Sequence, residues 1–414
     1  MNRTGRAVVW AVGMAVLGGA GAGAWAQSSA SNATKISNNK IPTPASIANS
    51  QGKTITGPLL ETQWWMRSPY IDLAPEKSRI GCGGVAGVQI MRYHKHPIRG
   101  IGQSEAYTTT HGVNVPSVNF ENFVFDWDNT LNRYTANSGT EPQRKTIAEI
   151  YYHVTVGIKM DFGKNGAGGT MRSFDDIMVG LTTYFGYDKS VKRLERIYYD
   201  DTTWERTIKE QLDARLPILY HGTDEKRSFD HMVIIDGYDN NSGKYHVNWG
   251  WNGAWDGWYY LHALNTDANN INYNHRMWIN IKPDAGGIAP DYEIVLDKFS
   301  VQRTSVAHNE RFEVYTYMKN VNNSSARFLG GQAGAALTDN NNNIVAIIGT
   351  SAMGEGSFWS KLEDRPINCS VPNTVSSGQY SLKIATKRTG GDWKIVTLSA
   401  IRDGVPTALD FEVR

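Results

Sequence analysis

The chain has 414 residues, with 42 Lys plus Arg against 40 Asp plus Glu, 2 cysteines, 13 tryptophans and 20 tyrosines. That length predicts two or three domains with cores that need no covalent staples, and two cysteines exclude a disulfide framework. A formal charge of +2 speaks against electrostatic nucleic-acid binding, and 40% hydrophobic with 20% charged residues is too apolar for a disordered chain.

Residues 1–26 read as a secretory signal peptide. Arg3 and Arg6 precede an apolar run from Ala7, and Ala24-Trp25-Ala26 fits a small-residue cleavage site. The run is diluted by glycine and alanine, and no later stretch is apolar for long enough to span a bilayer. Export to the periplasm or the extracellular space is therefore expected, not membrane integration. Residues 27–57 are rich in Ser, Asn and Ala without periodicity and read as a flexible leader.

From 58 to 283, helix-like and strand-like stretches mix. Cys82 lies in Arg79-Ile80-Gly81-Cys82-Gly83-Gly84, and Val85, Val88 and Met91 follow at helical spacing. The spacing predicts an amphipathic helix ending near His94, with Pro97 beyond it. Residues 142–160 predict a second helix, with Ile147, Ile150, Tyr151 and Val154 on one face. Residues 203–216 predict a third, with Thr203 as N-cap, Trp204, Ile208, Leu212 and Leu216 as its apolar stripe, and Pro217 as its stop. Strands are expected at 218–220, 232–236, 245–249 and 257–261, separated by Asn-, Asp- and Gly-rich turns. Helices followed by a strand cluster predict an α+β domain. A linker-like stretch starts at Asp284. Beyond it the period falls to two, as in Phe312, Val314, Thr316 and Met318, with further strands at 343–349, 379–385 and 393–398. Residues 290–414 are accordingly expected to form a β-sandwich.

Cys82 falls at the first turn of its helix. There, unpaired N–H groups and the positive end of the helix dipole favour a thiolate. His231 opens one strand and Asn248-Trp249 ends the next, across the short turn 239–243, which places Asn248 and Trp249 beside His231. A neutral amide beside an imidazole orients it for proton exchange with a thiol, and an indole shields the pair from water. Cys369, with no histidine near it, reads as a packing residue; a Cys82–Cys369 disulfide is the alternative for an exported chain. His94 and His96, two residues apart, do not share a helix face, so no metal is expected.

The run from Cys82 to Gln89-Ile90-Met91-Arg92-Tyr93-His94, the segment His231 to Asp236-Gly237-Tyr238, and His246-Val247-Asn248-Trp249-Gly250-Trp251-Asn252-Gly253 with Asp256-Gly257 resemble the streptopain family of secreted bacterial cysteine peptidases. The resemblance covers roughly residues 58–265. It implies a papain-like peptidase domain, a protein or peptide substrate and no cofactor. It also implies Cys82 as nucleophile, His231 as general base, Trp249 as the tryptophan beside it and Asn248 as the amide before that. Three positions depart from the family. Asp230 stands where a small residue usually precedes the histidine, and it is expected to favour the protonated imidazole. Gly83-Gly84 stands where the family tends to have Val-Ala. In Gln63-Trp64-Trp65-Met66-Arg67-Ser68-Pro69-Tyr70, the position matching the family's oxyanion glutamine is Met66, with Gln63 the nearest substitute. The resemblance thus implies a secreted cysteine endopeptidase. The alternatives are an impaired binding protein on the same scaffold, motivated by Met66, or a Cys-dependent acyl transferase.

Overall fold

The computed structural model describes residues 54–289, 292–321, 328–356, 361–363 and 366–414. Residues 1–26, expected to be a signal peptide, and the expected leader up to residue 53 lie outside them. Two large apolar cores organise the rest, one drawn from residues 59–281 and the other from 294–413.

The first core packs four helices against an antiparallel sheet. Helix α1 (Cys82–His94) runs between the expected limits; Gly81 precedes it and Lys95, with φ 48°, closes it. Helix α2 (Glu141–Gly157) opens on a capping box formed by Thr140 and Gln143, and buries Ile147, Ile150, Tyr151 and Val154. Helix α3 (Asp175–Tyr184) has no side-chain cap, and helix α4 (Asp201–Asp213) is capped by Asp200, whose carboxylate accepts the Thr203 N–H at 2.6 Å. The expected cap is thereby corrected. Asp200 supplies the acceptor one turn earlier, and Thr203 lies inside the helix. Trp204, Ile208 and Leu212 are buried as the spacing requires.

The sheet comprises β1 (Ile55–Thr56), β2 (Lys192–Glu195), β3 (Ile218–Thr223), β4 (Asp230–Asp239), β5 (Lys244–Asn248), β6 (Gly257–Tyr259) and β7 (Tyr273–Ile279). Its order is β6-β5-β4-β3-β7-β2, and β1 pairs with β4 through Ile55–Asp239 and Thr56–Tyr238. Residues 55–56, assigned to the leader on composition, are therefore part of the sheet. The β4–β5 hairpin has the expected turn, but a register shift between Ile235 and Gly237 sets Asn248 opposite Ile234. That register decides which groups reach His231.

The second core is a sandwich. One sheet contains β8 (Ile294–Val301), β10 (Arg311–Asn320), β13 (Lys361–Glu363), β14 (Ile367–Ser370) and β17 (Leu398–Ser399). The other contains β9 (Ser305–Val306), β11 (Phe328–Thr338), β12 (Ile344–Gly356), β15 (Gly378–Arg388), β16 (Lys394–Ile395) and β18 (Ala408–Val413). In β10, Phe312, Val314, Thr316 and Met318 are buried and alternate with more exposed residues, as the period of two demands.

A small apolar cluster of Tyr198, Val295, Val321 and Ala400 joins the two cores. Around it, Tyr198 donates to Asp297 at 2.9 Å, Lys192 pairs with Glu293 at 2.9 Å, and Arg402 pairs with Asp201. The stretch after Asp284 is more firmly held than its composition implies. The buried Asp188 carboxylate accepts the N–H groups of Ala285 at 3.1 Å and Gly287 at 3.2 Å. A Cβ at Gly287 would lie 1.8 Å from Asp188, so only glycine permits this approach.

Candidate active site

Helix α1 reaches the sheet because its entry lacks side chains. A Cβ at Gly81 would lie 2.9 Å from the Gly169 carbonyl, and one at Gly83 would meet Met171 and Ile177. The glycines that lower helix propensity are what let the first turn settle between the sheet and the loop 163–171. At the far side, Val85 packs under Gly250, whose φ is 69°. Cys82 is thus fixed against the open edge of β4, beyond the end of β5. The N–H groups of Met232, Gly83 and Cys82 itself act on its sulfur.

His231 is buried and lies among aromatic rings. Its ring stacks on Trp249 (centroids 5.8 Å apart, 13° between planes) and tilts against Trp251 at 4.7 Å, with Phe229 at 6.0 Å. Nε2 lies 2.9 Å from the Trp249 carbonyl oxygen. A carbonyl only accepts, so the neutral ring carries its proton on Nε2, and Nδ1 is the basic nitrogen.

Asn248 has a different place from the one expected. Its amide does not orient His231. Nδ2 donates to the Thr62 carbonyl at 2.7 Å, and Oδ1 accepts from the Gly250 N–H at 2.9 Å and from Gln89 Nε2 at 3.1 Å. Gln89 Oε1 in turn accepts the Trp64 N–H at 3.1 Å. Asn248 therefore ties α1, the Thr62–Trp64 segment and the tryptophan loop together. The hairpin register is the physical reason, because Asn248 faces Ile234, three residues short of His231, and the backbone carbonyl of the following Trp249 reaches the ring instead. Asp256 completes the arrangement by accepting the Trp249 N–H at 2.8 Å. The backbone of Trp249 is thus held at both its N–H and its carbonyl.

Gln63 lies over the Trp251–Gly253 turn; a Cβ at Gly253 would come within 2.7 Å of its amide. Met66 is partly buried against the core, and its carbonyl accepts the Ile80 N–H at 3.3 Å.

The electrostatics also depart from the sequence expectation. Burial, with the Asp230 carboxylate adding to it, pushes the Cys82 thiol up to about 11, outweighing the three N–H groups. Burial pulls His231 down to about 4, against the opposite influences of the Trp249 carbonyl and Asp230. Desolvation overrides both the helix terminus and the neighbouring acid, so the resting pair is a neutral thiol and a neutral imidazole. Asp230 acts on His231 in the expected direction, but desolvation outweighs it, and the Asp230 carboxylate also meets His221 Nε2 at 3.2 Å.

Both cysteines are free, which removes the disulfide alternative. Cys369 is buried in the sandwich, where its Sγ donates to the Ile367 carbonyl at 3.3 Å. His94 and His96 bind the carbonyls of Ile281 and Gly186, each at 2.9 Å. Among the described residues, no group of three His, Cys, Asp or Glu side chains gathers at metal-binding distance, and no helix is long and apolar enough to cross a membrane.

A cysteine at the start of a helix wedged against an antiparallel sheet, with a histidine on the adjoining strand, defines the papain-like class of cysteine-type peptidases. Residues 64–259 match the model of the Peptidase C10 family. Streptopain of Streptococcus pyogenes is 33% identical over 197 residues, 45% of this chain and 47% of that protein. The thiol protease/hemagglutinin PrtT of Porphyromonas gingivalis is 28% identical over 268 residues, 61% of this chain and 30% of that protein. The structure of active wild-type interpain A cysteine protease from Prevotella intermedia superposes with a TM-score of 0.51 at 28% identity, covering 57% of this chain and 100% of that one. Through this region the chain is similar to the streptopain-like C10 peptidases. It spans about half the length of streptopain and under a third of PrtT.

Proposed function

We propose that this protein is an exported cysteine endopeptidase, with residues 58–283 as the catalytic unit and the sandwich 290–414 as an accessory domain for substrate or surface binding. The observation that carries the reading is a helix-terminal thiol set against Met232 of the strand whose preceding residue, His231, has its tautomer fixed by the Trp249 carbonyl. Nδ1 of His231 takes the Cys82 proton as the sulfur attacks the peptide carbonyl. The imidazolium then protonates the leaving amine, and a thioester remains on Cys82. His231 next activates water, which releases the acid and restores the thiol.

Because the resting pair is neutral, proton transfer accompanies attack. The developing oxyanion is received by the backbone N–H of Cys82 at the helix start, with Gln63 as the candidate side-chain donor in place of the family's glutamine. Loss of one such donor costs about 3–4 kcal/mol of barrier, so a slow enzyme is the consequence if Gln63 does not reach the oxyanion. The relatives' printed names, a thiol protease and a cysteine protease among them, support protein substrates here. The test is peptide cleavage by the mature protein, together with labelling by a peptide-based cysteine probe. The Cys82→Ala variant is expected to lose both. Cleavage that persists in that variant rejects Cys82 as nucleophile.

A further inference from the structure

Asp256 stands apart from the reacting atoms, yet its side chain meets the residue that orients the base. Strand β5 pairs with β6 up to Val247–Gly257 and with β4 up to Asn248–Ile234. Trp249 lies beyond the last paired position on either side, so the ladder no longer supplies an acceptor for its N–H. Oδ1 of Asp256 takes that place and accepts the N–H at 2.8 Å. Trp255 brings Asp256 there with a φ of 67°, a conformation that a bulky residue rarely adopts. The Tyr259 hydroxyl donates to the Trp255 carbonyl at 2.5 Å and holds that turn, and the same ring meets the Trp249 indole edge-on at 5.9 Å.

At its other end the same residue offers its carbonyl to His231 Nε2 at 2.9 Å. The two contacts divide the work of holding the imidazole. The buried indole, stacked on the ring at 13°, fixes the plane of the imidazole, whereas the carbonyl fixes which nitrogen carries the proton. The direction of that carbonyl follows from the backbone dihedrals of Trp249, and these are set by what holds the chain on the N–H side. We infer that Asp256 is a positioning residue, which holds the Trp249 main chain so that its carbonyl keeps the His231 proton on Nε2 and leaves Nδ1 to act as the base. The link is two hydrogen bonds in series through one buried residue, both of ordinary length and both directional. A group that acts in this way changes orientation, and through it turnover, more than substrate binding. The kinetic part of the inference rests on the proposed peptidase reading; the tautomer of His231 is defined with or without turnover.

The test reads the tautomer directly. Nitrogen NMR of the mature protein carrying isotope-labelled histidine reports the protonation of each ring nitrogen, and His231 is assigned by the signals missing from His231→Gln. At neutral pH the wild type is expected to hold its His231 proton on Nε2 alone. In Asp256→Ala the ring is expected to exchange between the two tautomers, and kcat to fall about ten- to a hundredfold while KM changes less than about threefold. Asp256→Asn keeps an oxygen within reach of the Trp249 N–H; it is expected to restore the single tautomer and to recover kcat to within about threefold of the wild type. A merely structural carboxylate would lower the Tm of Asp256→Ala and leave the His231 signals of the folded protein as they were, so a single Nε2–H tautomer in that variant overturns the inference. Should Asp256→Ala not fold, Asp256→Glu decides, since its extra methylene displaces the acceptor: mixed tautomers there support the inference and a single Nε2–H tautomer rejects it. A wild-type His231 protonated on Nδ1 overturns it without any variant. If the wild type cleaves no peptide the peptidase reading falls, while the nitrogen signals still decide the role of Asp256.

Discussion

His231 is oriented by the Trp249 backbone and not by the Asn248 side chain; its Nε2 lies 2.9 Å from that carbonyl. The two residues therefore make separable contributions. Asn248→Ala removes a buried amide that joins Thr62, Gln89 and Gly250, and is expected to destabilise the domain by about 1–3 kcal/mol. The orienting bond to His231 survives that change, so kcat below the new melting temperature is expected to fall less than about tenfold, where loss of an orienting group costs far more. Thermal unfolding and kcat measured on the same preparation check this, and a loss of several thousandfold in kcat with an unshifted Tm contradicts it.

The neutral resting pair has a signature in the pH dependence of alkylation. With the thiol at about 11 and His231 at about 4, the thiolate fraction keeps growing through the neutral range. The iodoacetamide labelling rate at Cys82 is expected to climb steadily from pH 6 to pH 9. A preformed thiolate–imidazolium pair instead gives a rate that levels off from about pH 5. Mass spectrometry of the Cys82 peptide separates the two.

Asp256 is held near 6, because burial raises its carboxyl more than the Trp249 N–H and the neighbouring His246 lower it. Its folded pKa lies above the unfolded value of about 3.9. Its contribution to stability is therefore full below the unfolded value and is lost as pH rises through about 6. Asp256→Asn keeps an oxygen for the Trp249 N–H and removes the titration. The variant is expected to gain a few degrees in Tm relative to the wild type on going from pH 4 to pH 7. A Tm difference that stays constant across that range rules the assignment out.

Asp188 has the opposite sign. Burial raises it, but hydrogen bonds from Ser190, Ala285 and Gly287 outweigh this and hold it at about 2. Its stabilising contribution is present above the unfolded value and is lost as pH falls through about 2. Asp188→Ala leaves two backbone N–H groups of the 285–287 segment without their acceptor, at a cost of about 1–3 kcal/mol. Limited proteolysis is expected to cut the variant between 284 and 289 at least several-fold faster than the wild type; equal cutting rates count against the pinning role.

Much of this was legible in the sequence where one signal dominated. Gly81-Cys82-Gly83 and Pro97 bracket α1, and the strict spacing of Trp204, Ile208 and Leu212 marks α4. Helix α3 escaped because Phe174 offers no capping side chain. Strand β11 escaped because its Gly-Gly-Gln-Ala-Gly-Ala-Ala run has low strand propensity, and it is held instead by neighbours on both edges. Strands β2 and β7 pair with each other in a largely buried part of the sheet and lack the alternation that a half-exposed strand shows. At the site, residue types named Cys82, His231 and Trp249, but a backbone carbonyl is common to every residue and leaves no mark in a sequence. Neither does a register shift. The role expected for Asn248 therefore went to Trp249, and Asp256 went unnoticed.

The neutral state of Cys82 bears on how the thiol meets oxidants. Peroxide and disulfides react with thiolates, and a thiol held near 11 presents very little thiolate at neutral pH. The same burial that forgoes a ready-made nucleophile therefore slows conversion of Cys82 to sulfenic acid and to mixed disulfides. In the proposed mechanism His231 takes the proton only as a peptide is attacked, so until then the one sulfur of residues 58–283 that can form a thiolate is guarded by its protonation state, with no second cysteine there to restore it.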